Sequence, residues 1–260
     1  MGMKKEHIFV ATMADDFEET LATHGIGVEI DHFCTASNMD APKYAAVDQD
    51  VRGILRDVPR AFFHGPFNEL HPAAIDPEAL KLAYRRLEQA YEVAQGYGIH
   101  RMVVHSGYLP FVHFKEWHLE RSIEFWTRFM DDKPARFHIY IENVLEDEPY
   151  MMADLLKALN HPNIHGCLDT GHATCMSKLP VEVWAKVLSP YIGHVHLHNN
   201  DGTFDHHLSP GEGRANLKEV VEILEKEDRE ITYTLECRNS MDGYDWLVSN
   251  GFLPVFSQFG

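Results

Sequence analysis

The chain contains 260 residues, of which 45% are apolar and 24% charged, the composition of an ordinary globular protein with one large or two small domains. Lysine and arginine total 23 against 40 aspartates and glutamates, so the formal net charge is −17 at pH 7. Proteins that bind nucleic acid or anionic membranes usually present a basic face, and this acidic excess argues against both kinds of partner.

The four cysteines, Cys34, Cys167, Cys175 and Cys237, are widely spaced and form no Cys-x-x-Cys pair. This spacing predicts neither a disulfide framework nor a zinc knuckle and is typical of a reducing compartment. No apolar run approaches the roughly 18 residues that a membrane-spanning helix needs. We therefore expect a cytoplasmic protein without a membrane segment.

Short runs rich in β-branched and aromatic residues alternate along the chain with longer segments of helical periodicity. The clearest helical segments are residues 77–96 and 112–130, and Asp76-Pro77 supplies an N-cap followed by proline at the first helical position. Eight alternations in this length predict a (β/α)8 TIM barrel that occupies residues 1–260 as a single domain. The runs that predict strands are 8–13, 27–33, 61–67, 102–108, 138–144, 164–169, 192–199 and 231–237.

An open, doubly wound sheet is the alternative architecture for the same alternation. That fold usually has a glycine-rich turn after its first strand, whereas here the first run leads into Met13-Ala14-Asp15-Asp16. The pleat of the last run also favours the barrel. Its large apolar residues at 231, 233 and 235 share one face, and its smaller or functional residues at 232, 234 and 236 share the other.

Ionisable residues cluster at the carboxyl ends of the predicted strands from the third strand onward. In a barrel these ends meet at one rim, where the catalytic site is expected, so residues far apart in sequence would meet in one pocket. The residues are His64, His105, Glu142, Asp169 with His172, His196 and Glu236 on strands three to eight, and Asp205 and His207 in the loop after strand seven.

This mixture of carboxylates and imidazoles points to divalent metal ions, because charges at buried strand ends need compensation. Oxygen and nitrogen ligands suit Zn²⁺, Mn²⁺, Co²⁺ or Fe²⁺, and the lack of thiolates favours a catalytic over a structural site. A single strand histidine is more often a hydrogen-bonded core residue, and a lone Asp-x-His is ordinary loop chemistry. The recurrence of such residues at six strand ends is what favours a metal centre.

Four motifs resemble the xylose isomerase-like TIM-barrel superfamily: Ile141-Glu142-Asn143, the segment from Cys167 to Ala173, the segment from Gly193 to His198, and Pro210-Gly211-Glu212-Gly213. That group includes sugar and sugar-phosphate isomerases and epimerases and the endonuclease IV type of apurinic-site nuclease, family 2. The resemblance implies the metal ligands Glu142, Asp169, His196 and Glu236, as in the epimerases. The nuclease pattern adds His64, His105, His172, Asp205 and His207, which implies a site for one to three metal ions.

The rim composition favours a small polar substrate over DNA, since the loop after strand two, residues 33–40, has no lysine or arginine. We therefore expect a metal-dependent isomerase or epimerase of a sugar, sugar phosphate or related polyol. By family analogy Glu142 and Glu236 would exchange a carbon-bound proton through an enediolate, and His172 would orient a substrate hydroxyl.

Two other functions stay open from the sequence. One is a phosphoester hydrolase with two or three metals, including apurinic-site endonuclease activity, in which Glu142 would bridge two ions. The other is a non-catalytic barrel that binds metal or a ligand. The sequence does not define the oligomeric state.

Overall fold

The computed structural model describes residues 2–254, in which eight parallel strands form a closed barrel. Each strand pairs with the next along the chain, and the first pairs with the last, through Ile8 opposite Tyr233. This confirms the predicted (β/α)8 TIM barrel. The strands are β1 (Ile8–Ala11), β2 (Gly27–Ile30), β3 (Ala61–His64), β4 (Arg101–His105), β5 (His138–Glu142), β6 (Ile164–Asp169), β7 (Ile192–Leu197) and β8 (Thr232–Leu235).

Helices cover the outside of the barrel. The predicted helix at residues 77–96 is confirmed, with the Asp76 carboxylate accepting a hydrogen bond from the Glu78 backbone N–H at 2.7 Å. The helices are α1 (Phe17–His24), α2 (Tyr44–Leu55), α3 (Pro77–Gly96), α4 (Lys115–Met130), α5 (Tyr150–Leu159), α6 (Thr170–Met176), α7 (Val181–Leu188), α8 (Leu217–Leu224) and α9 (Ser240–Ser249).

The helix predicted at residues 112–130 begins later, at Lys115. Phe111 has a positive φ of 66° and Phe114 is extended, so the preceding residues cannot continue the helical turn. The second strand is likewise shorter than its apolar run, because the Asp31 backbone N–H donates to the Thr12 hydroxyl. In both cases residues at the rim form turns, although the helical or apolar pattern of the sequence continues through them.

The strand pleat separates a large outer core from a small inner one. Alternate side chains such as Val28, Ile141 and Leu168 point outward and pack against the helices. The inward side chains form a separate apolar layer of Phe9, Phe62, Val103, Tyr140 and Cys167 across the barrel. Because this layer closes the middle of the barrel, the inward polar residues beyond it collect at the carboxyl rim.

No helix among residues 2–254 is long and apolar enough to cross a membrane.

Candidate metal centre

The structure brings all nine residues of the predicted ligand set to the carboxyl rim of the barrel. His64, Glu142, Asp169 and His196 are buried, and the remaining five are partly buried around the mouth. The nine form one continuous network of nitrogen–oxygen approaches, which has three parts.

The first part surrounds Glu142, at the end of β5. Its Oε2 lies 3.4 Å from the Nε2 atom of His64 and 3.3 Å from that of His105. Its Oε1 faces the other way, 3.3 Å from His172 Nδ1 and 3.4 Å from His196 Nδ1. The two oxygens of this carboxylate therefore face two different sets of imidazoles.

The second part converges on His196, on β7. Its Nδ1 lies 3.0 Å from Glu236 Oε2 and 3.6 Å from Asp169 Oδ2, in addition to the Glu142 approach. Strands β5, β6, β7 and β8 thus each contribute one side chain to a single point at the rim. Glu142, Asp169 and His196 offer atoms that all lie within 4.8 Å of one another, close enough to hold one ion.

The third part lies nearer the solvent, around Asp205 in the loop after β7. Its Oδ2 is 3.0 Å from His207 Nε2 and 3.3 Å from His172 Nε2. His207 has a positive φ of 51°, and its Nδ1 lies 2.7 Å from the Glu236 backbone carbonyl. That contact anchors the loop to the barrel and leaves Nε2 facing Asp205.

Several of these atoms are buried and yet make no hydrogen bond within residues 2–254. Two pairs among them approach at 3.0 and 3.6 Å without forming a hydrogen bond, namely His196 Nδ1 with Glu236 Oε2 and His198 Nδ1 with Asp205 Oδ1. Buried polar atoms without partners cost about 1–3 kcal/mol each, so their concentration here calls for a ligand that satisfies them together. A divalent cation fits this donor set of carboxylate oxygens and imidazole nitrogens. The atoms are Glu142 Oε2, His196 Nδ1, His198 Nδ1, Asp205 Oδ1 and Glu236 Oε2.

The electrostatics of the network favour ionised carboxylates. Burial by itself raises the pKa of Glu142, but the neighbouring His196 and His172 rings outweigh it and lower that pKa well below its usual value. Burial likewise lowers the pKa of the His172 imidazole, but the Asp169, Asp205 and Glu142 carboxylates outweigh it and raise that pKa well above its usual value. Protons on the imidazoles therefore supply the positive charge that bound cations would otherwise supply to these carboxylates.

His105 is the exception among the imidazoles. Burial, reinforced by the positive charge of the neighbouring histidines, lowers its pKa to about 3 against the opposing charge of Glu142. It is therefore a neutral ring with a lone pair available. His64 is oriented by its Nδ1, which lies 3.1 Å from the Gly65 carbonyl and leaves Nε2 facing Glu142.

Glu29 on β2 lies outside the predicted ligand set, although the structure places it directly beneath the centre. Its fully buried carboxylate lies 3.0 Å from His196 Nε2 and 3.2 Å from His194 Nε2, and it accepts a hydrogen bond from the Thr234 hydroxyl. It fixes the His196 ring with Nδ1 toward the rim. The sequence does carry a signal for this residue, because a glutamate at an inward position of an apolar strand requires a buried partner.

His198 also lies outside the predicted set. Its Nε2 lies 3.0 Å from both Asp169 oxygens, and its Nδ1 is 3.6 Å from Asp205 Oδ1, so it stands between the second and third parts. Gly171 makes room for it, because a Cβ at that position would lie 2.0 Å from His198 Cε1. The alternation of His194, His196 and His198 along β7 is visible in the sequence, but the glycine contact is not.

Comparison with known proteins places this geometry in context. A family model described as a xylose isomerase-like TIM barrel matches residues 10–249. The uncharacterized protein MJ1311 of Methanocaldococcus jannaschii is 29% identical over 203 residues, covering 69% of this chain and 64% of that protein. The chain thus spans just under two thirds of that relative's length. The uncharacterized protein MJ1614 of the same organism is 25% identical over 195 residues, covering 72% of this chain and 74% of that protein.

Solved structures share the fold over nearly the whole chain. The TTHB071 protein from Thermus thermophilus, soaked with ZnCl2, has a TM-score of 0.75 and 26% identity, covering 94% of this chain and 98% of that one. A D-tagatose 3-epimerase-like protein has a TM-score of 0.74 and 23% identity, covering 94% and 96%. A family 2 AP endonuclease from Brucella melitensis has a TM-score of 0.68 and 18% identity, covering 96% and 99%. An epimerase-like protein and an AP endonuclease thus share this fold. The fold therefore does not decide the reaction, which must be argued from the site.

Proposed function

This chain belongs to the xylose isomerase-like TIM barrel family, and on that premise we propose that it is a divalent-metal-dependent isomerase or epimerase of a small polyhydroxy carbonyl compound. One observation carries the proposal. Two carboxylates, Glu142 at the end of β5 and Glu236 directly after β8, converge on the same imidazole nitrogen, His196 Nδ1, at 3.4 and 3.0 Å. Isomerisation needs two groups that can exchange a proton around one substrate carbon.

The proposed ion would be held by Glu142, Asp169, His196 and Glu236. When bound, it would act as a Lewis acid on adjacent carbonyl and hydroxyl oxygens of the substrate and lower the pKa of the carbon-bound proton between them. Zinc, manganese, cobalt and iron all suit this donor set.

The chain's own residues supply the proton transfer. Glu142 is ionised, since its histidine neighbours lower its pKa against the effect of burial, and it is therefore competent to accept a proton from carbon. Loss of that proton leaves an enediolate and a protonated Glu142, and we assign to Glu236, in its protonated form, the delivery of its own proton to carbon, which leaves Glu236 ionised. His172, which is partly exposed at the mouth beside Asp205, is placed to orient a substrate hydroxyl.

The charge of the rim supports a small substrate rather than a polyanion. The loops that follow β1, β3, β4 and β5 contain no lysine or arginine before the next helix begins. The same loops carry acidic residues, among them Asp15, Glu69 and Asp147. Phosphate tracking along DNA depends on lysine and arginine contacts, and these four loops offer none.

The test is hydrogen–deuterium exchange at carbon. The metal-loaded enzyme is incubated in D2O with a panel of ketoses and ketose phosphates, and loss of the carbon-bound proton is followed by NMR. We expect exchange with at least one substrate, and its loss in both Glu142→Gln and Glu236→Gln. Glu212→Gln, which changes an exposed rim carboxylate in the same way, is the matched control and should retain full activity.

A second candidate function has its own supporting observation. The two oxygens of Glu142 face separate imidazole sets, and Asp205 gathers a third set with His172 and His207. This supports a phosphoester hydrolase in which two or three ions bind around a shared Glu142. Incision of a duplex with an abasic site at low salt, lost in Glu142→Gln and accompanied by no carbon exchange on the ketose panel, would establish this function instead.

A further inference from the structure

The opposite end of the barrel carries a cleft that the proposed reaction does not use. It has a volume of about 320 Å³ and lies where the α2–β3 and α3–β4 connections meet beneath the strands. We call it the floor cleft, and it is lined by Phe9, Leu55, Val58, Pro59, Arg60, Ala61, Tyr97, Gly98, Ile99, His100 and Arg101.

Three of the side chains that line the floor cleft are basic. Arg60, His100 and Arg101 line it, and no carboxylate is among the lining residues within the described part of the chain. This composition stands out in a protein with 40 acidic and 23 basic side chains. A local group of cations against an acidic background indicates a site for an anion.

Two of these side chains have polar atoms without partners. Arg60 Nε and His100 Nδ1 are buried, and neither makes a hydrogen bond within residues 2–254. Arg101 lies with its guanidinium carbon 5.5 Å from the Phe62 ring centroid, which directs the charge toward the barrel axis. Its carboxylate neighbour, Glu230, is 3.3 Å away and largely exposed, so that pair contributes little.

The same positive charges also affect the pKa of a neighbouring histidine. His138 and His165 form a hydrogen bond of 3.1 Å across the floor of the barrel. Burial, together with the positive charges of His138, Arg229 and Arg101, lowers the pKa of His165 to about 4. Arg229 is paired with Glu227 at 2.9 Å, so Arg60 and Arg101 are the guanidinium groups best placed to receive an external anion.

We propose that the floor cleft binds a small organic phosphate, whose phosphoryl group is held by Arg60, His100 and Arg101. Guanidinium groups bind phosphate oxygens in bidentate pairs, and a tetrahedral dianion offers acceptors to donors from several directions. The apolar wall of Leu55, Val58 and Tyr97 accommodates the remainder of the ligand. The volume is at the lower end of the range for ligand pockets, which limits that remainder to a few carbon atoms or one small ring.

The test uses metal-loaded protein with isotopically labelled histidine, titrated with inorganic phosphate at constant ionic strength while the His100 ring signals are followed by NMR. We expect saturable shifts at His100, weakened about tenfold or more in Arg60→Gln, because one charge-assisted contact is lost. Arg85→Gln, which changes an arginine on α3 away from the cleft, is the matched control and should titrate like the unmodified protein. Acetate should shift His100 much more weakly than phosphate.

Three results would overturn the proposal: no saturable shift at His100, equal affinity in Arg60→Gln, or equal binding of acetate. Phosphate that binds only at the rim would shift His64 or His196 and leave His100 unchanged, which also counts against it. If Arg60→Gln fails to fold, Arg101→Gln provides the same test. The signals are local to the floor, so the outcome is independent of the reaction at the rim.

Discussion

Replacing Gly171 with alanine tests the packing on which the rim geometry depends. A Cβ at this position would lie 2.0 Å from His198 Cε1 and 2.4 Å from its Nδ1. The ring cannot easily move aside, because His198 is fully buried and its Nε2 lies 3.0 Å from both oxygens of Asp169. Any displacement that accommodates the methyl group therefore withdraws His198 from Asp169.

The expected cost follows from two opposing effects. Overpacking of a buried site costs about 1–3 kcal/mol, and loss of a hydrogen-bond partner from a buried charged group costs about 1–3 kcal/mol more. Alanine in a helix recovers roughly 0.5–1 kcal/mol relative to glycine. Taking the middle of each range, we expect a net loss of about 3 kcal/mol in the free energy of unfolding. For a chain of this size that corresponds to a decrease of roughly 6–12 °C in Tm.

Differential scanning calorimetry of the metal-free protein measures this decrease. Gly53→Ala is the matched control, since Gly53 lies in α2 with no heavy atom within 4 Å of the added Cβ. That variant should be more stable than the unmodified protein by about 0.5–1 kcal/mol. If Gly171→Ala is equally stable or stabilised, the close packing of His198 against Gly171 is wrong.

Four further predictions concern the centre itself. Glu29→Gln should lower metal affinity about 10–100-fold, measured by isothermal titration calorimetry, because Glu29 orients His196; unchanged affinity would show that this contact is dispensable. Chelation of the ion should lower Tm in calorimetry, because the buried atoms at the rim lose their common partner, and an unchanged Tm would contradict the metal assignment. Metal binding at pH 7 should release protons, because the proposed ligand His196 must be deprotonated and the Glu236, Glu29 and Glu142 carboxylates, against the effect of burial, raise its pKa well above the usual value. Equal binding enthalpies in buffers of different ionisation enthalpy would contradict this. In the metal-free protein, burial alone would lower the pKa of His207, but Asp205 and Glu236 raise it to about 9. The stability that His207 contributes should therefore be complete below about pH 6.5, the ordinary histidine pKa, and should disappear as the pH rises through about 9. Urea unfolding at several pH values measures this loss, and stability that increases over the same interval would contradict the prediction.

The sequence predicts the barrel because its signals are periodic and local. Each strand is a compact apolar run, and each polar strand end, such as Glu142 or Asp169, directly follows one. The parallel architecture then brings these ends to one rim without further information. For this reason the convergence of the residues at the strand ends follows from the fold prediction, whereas the position of Asp205 and His207 also depends on the contact between His207 and the Glu236 carbonyl.

The contacts beneath the rim depend on packing across the barrel, which the sequence pattern does not specify. Glu29 meets His196 across a separation of 167 residues, and the backbone of Gly171 lies against the imidazole ring of His198. The predicted strands are too long for a related reason. Side chains such as Thr12 take over backbone hydrogen bonds at the rim, so apolar runs continue beyond the last paired residue.

The most direct test of the account is the position of the metal. A crystal of the zinc-loaded protein, measured at the zinc absorption edge, locates the ion by anomalous scattering. We predict a peak at the carboxyl rim with Glu142, Asp169, His196 and Glu236 at about 2.0–2.2 Å, typical of zinc–nitrogen and zinc–oxygen bonds. A fully loaded crystal with no anomalous peak within bonding distance of His196 Nδ1 would contradict the proposed centre and the isomerase mechanism that depends on it.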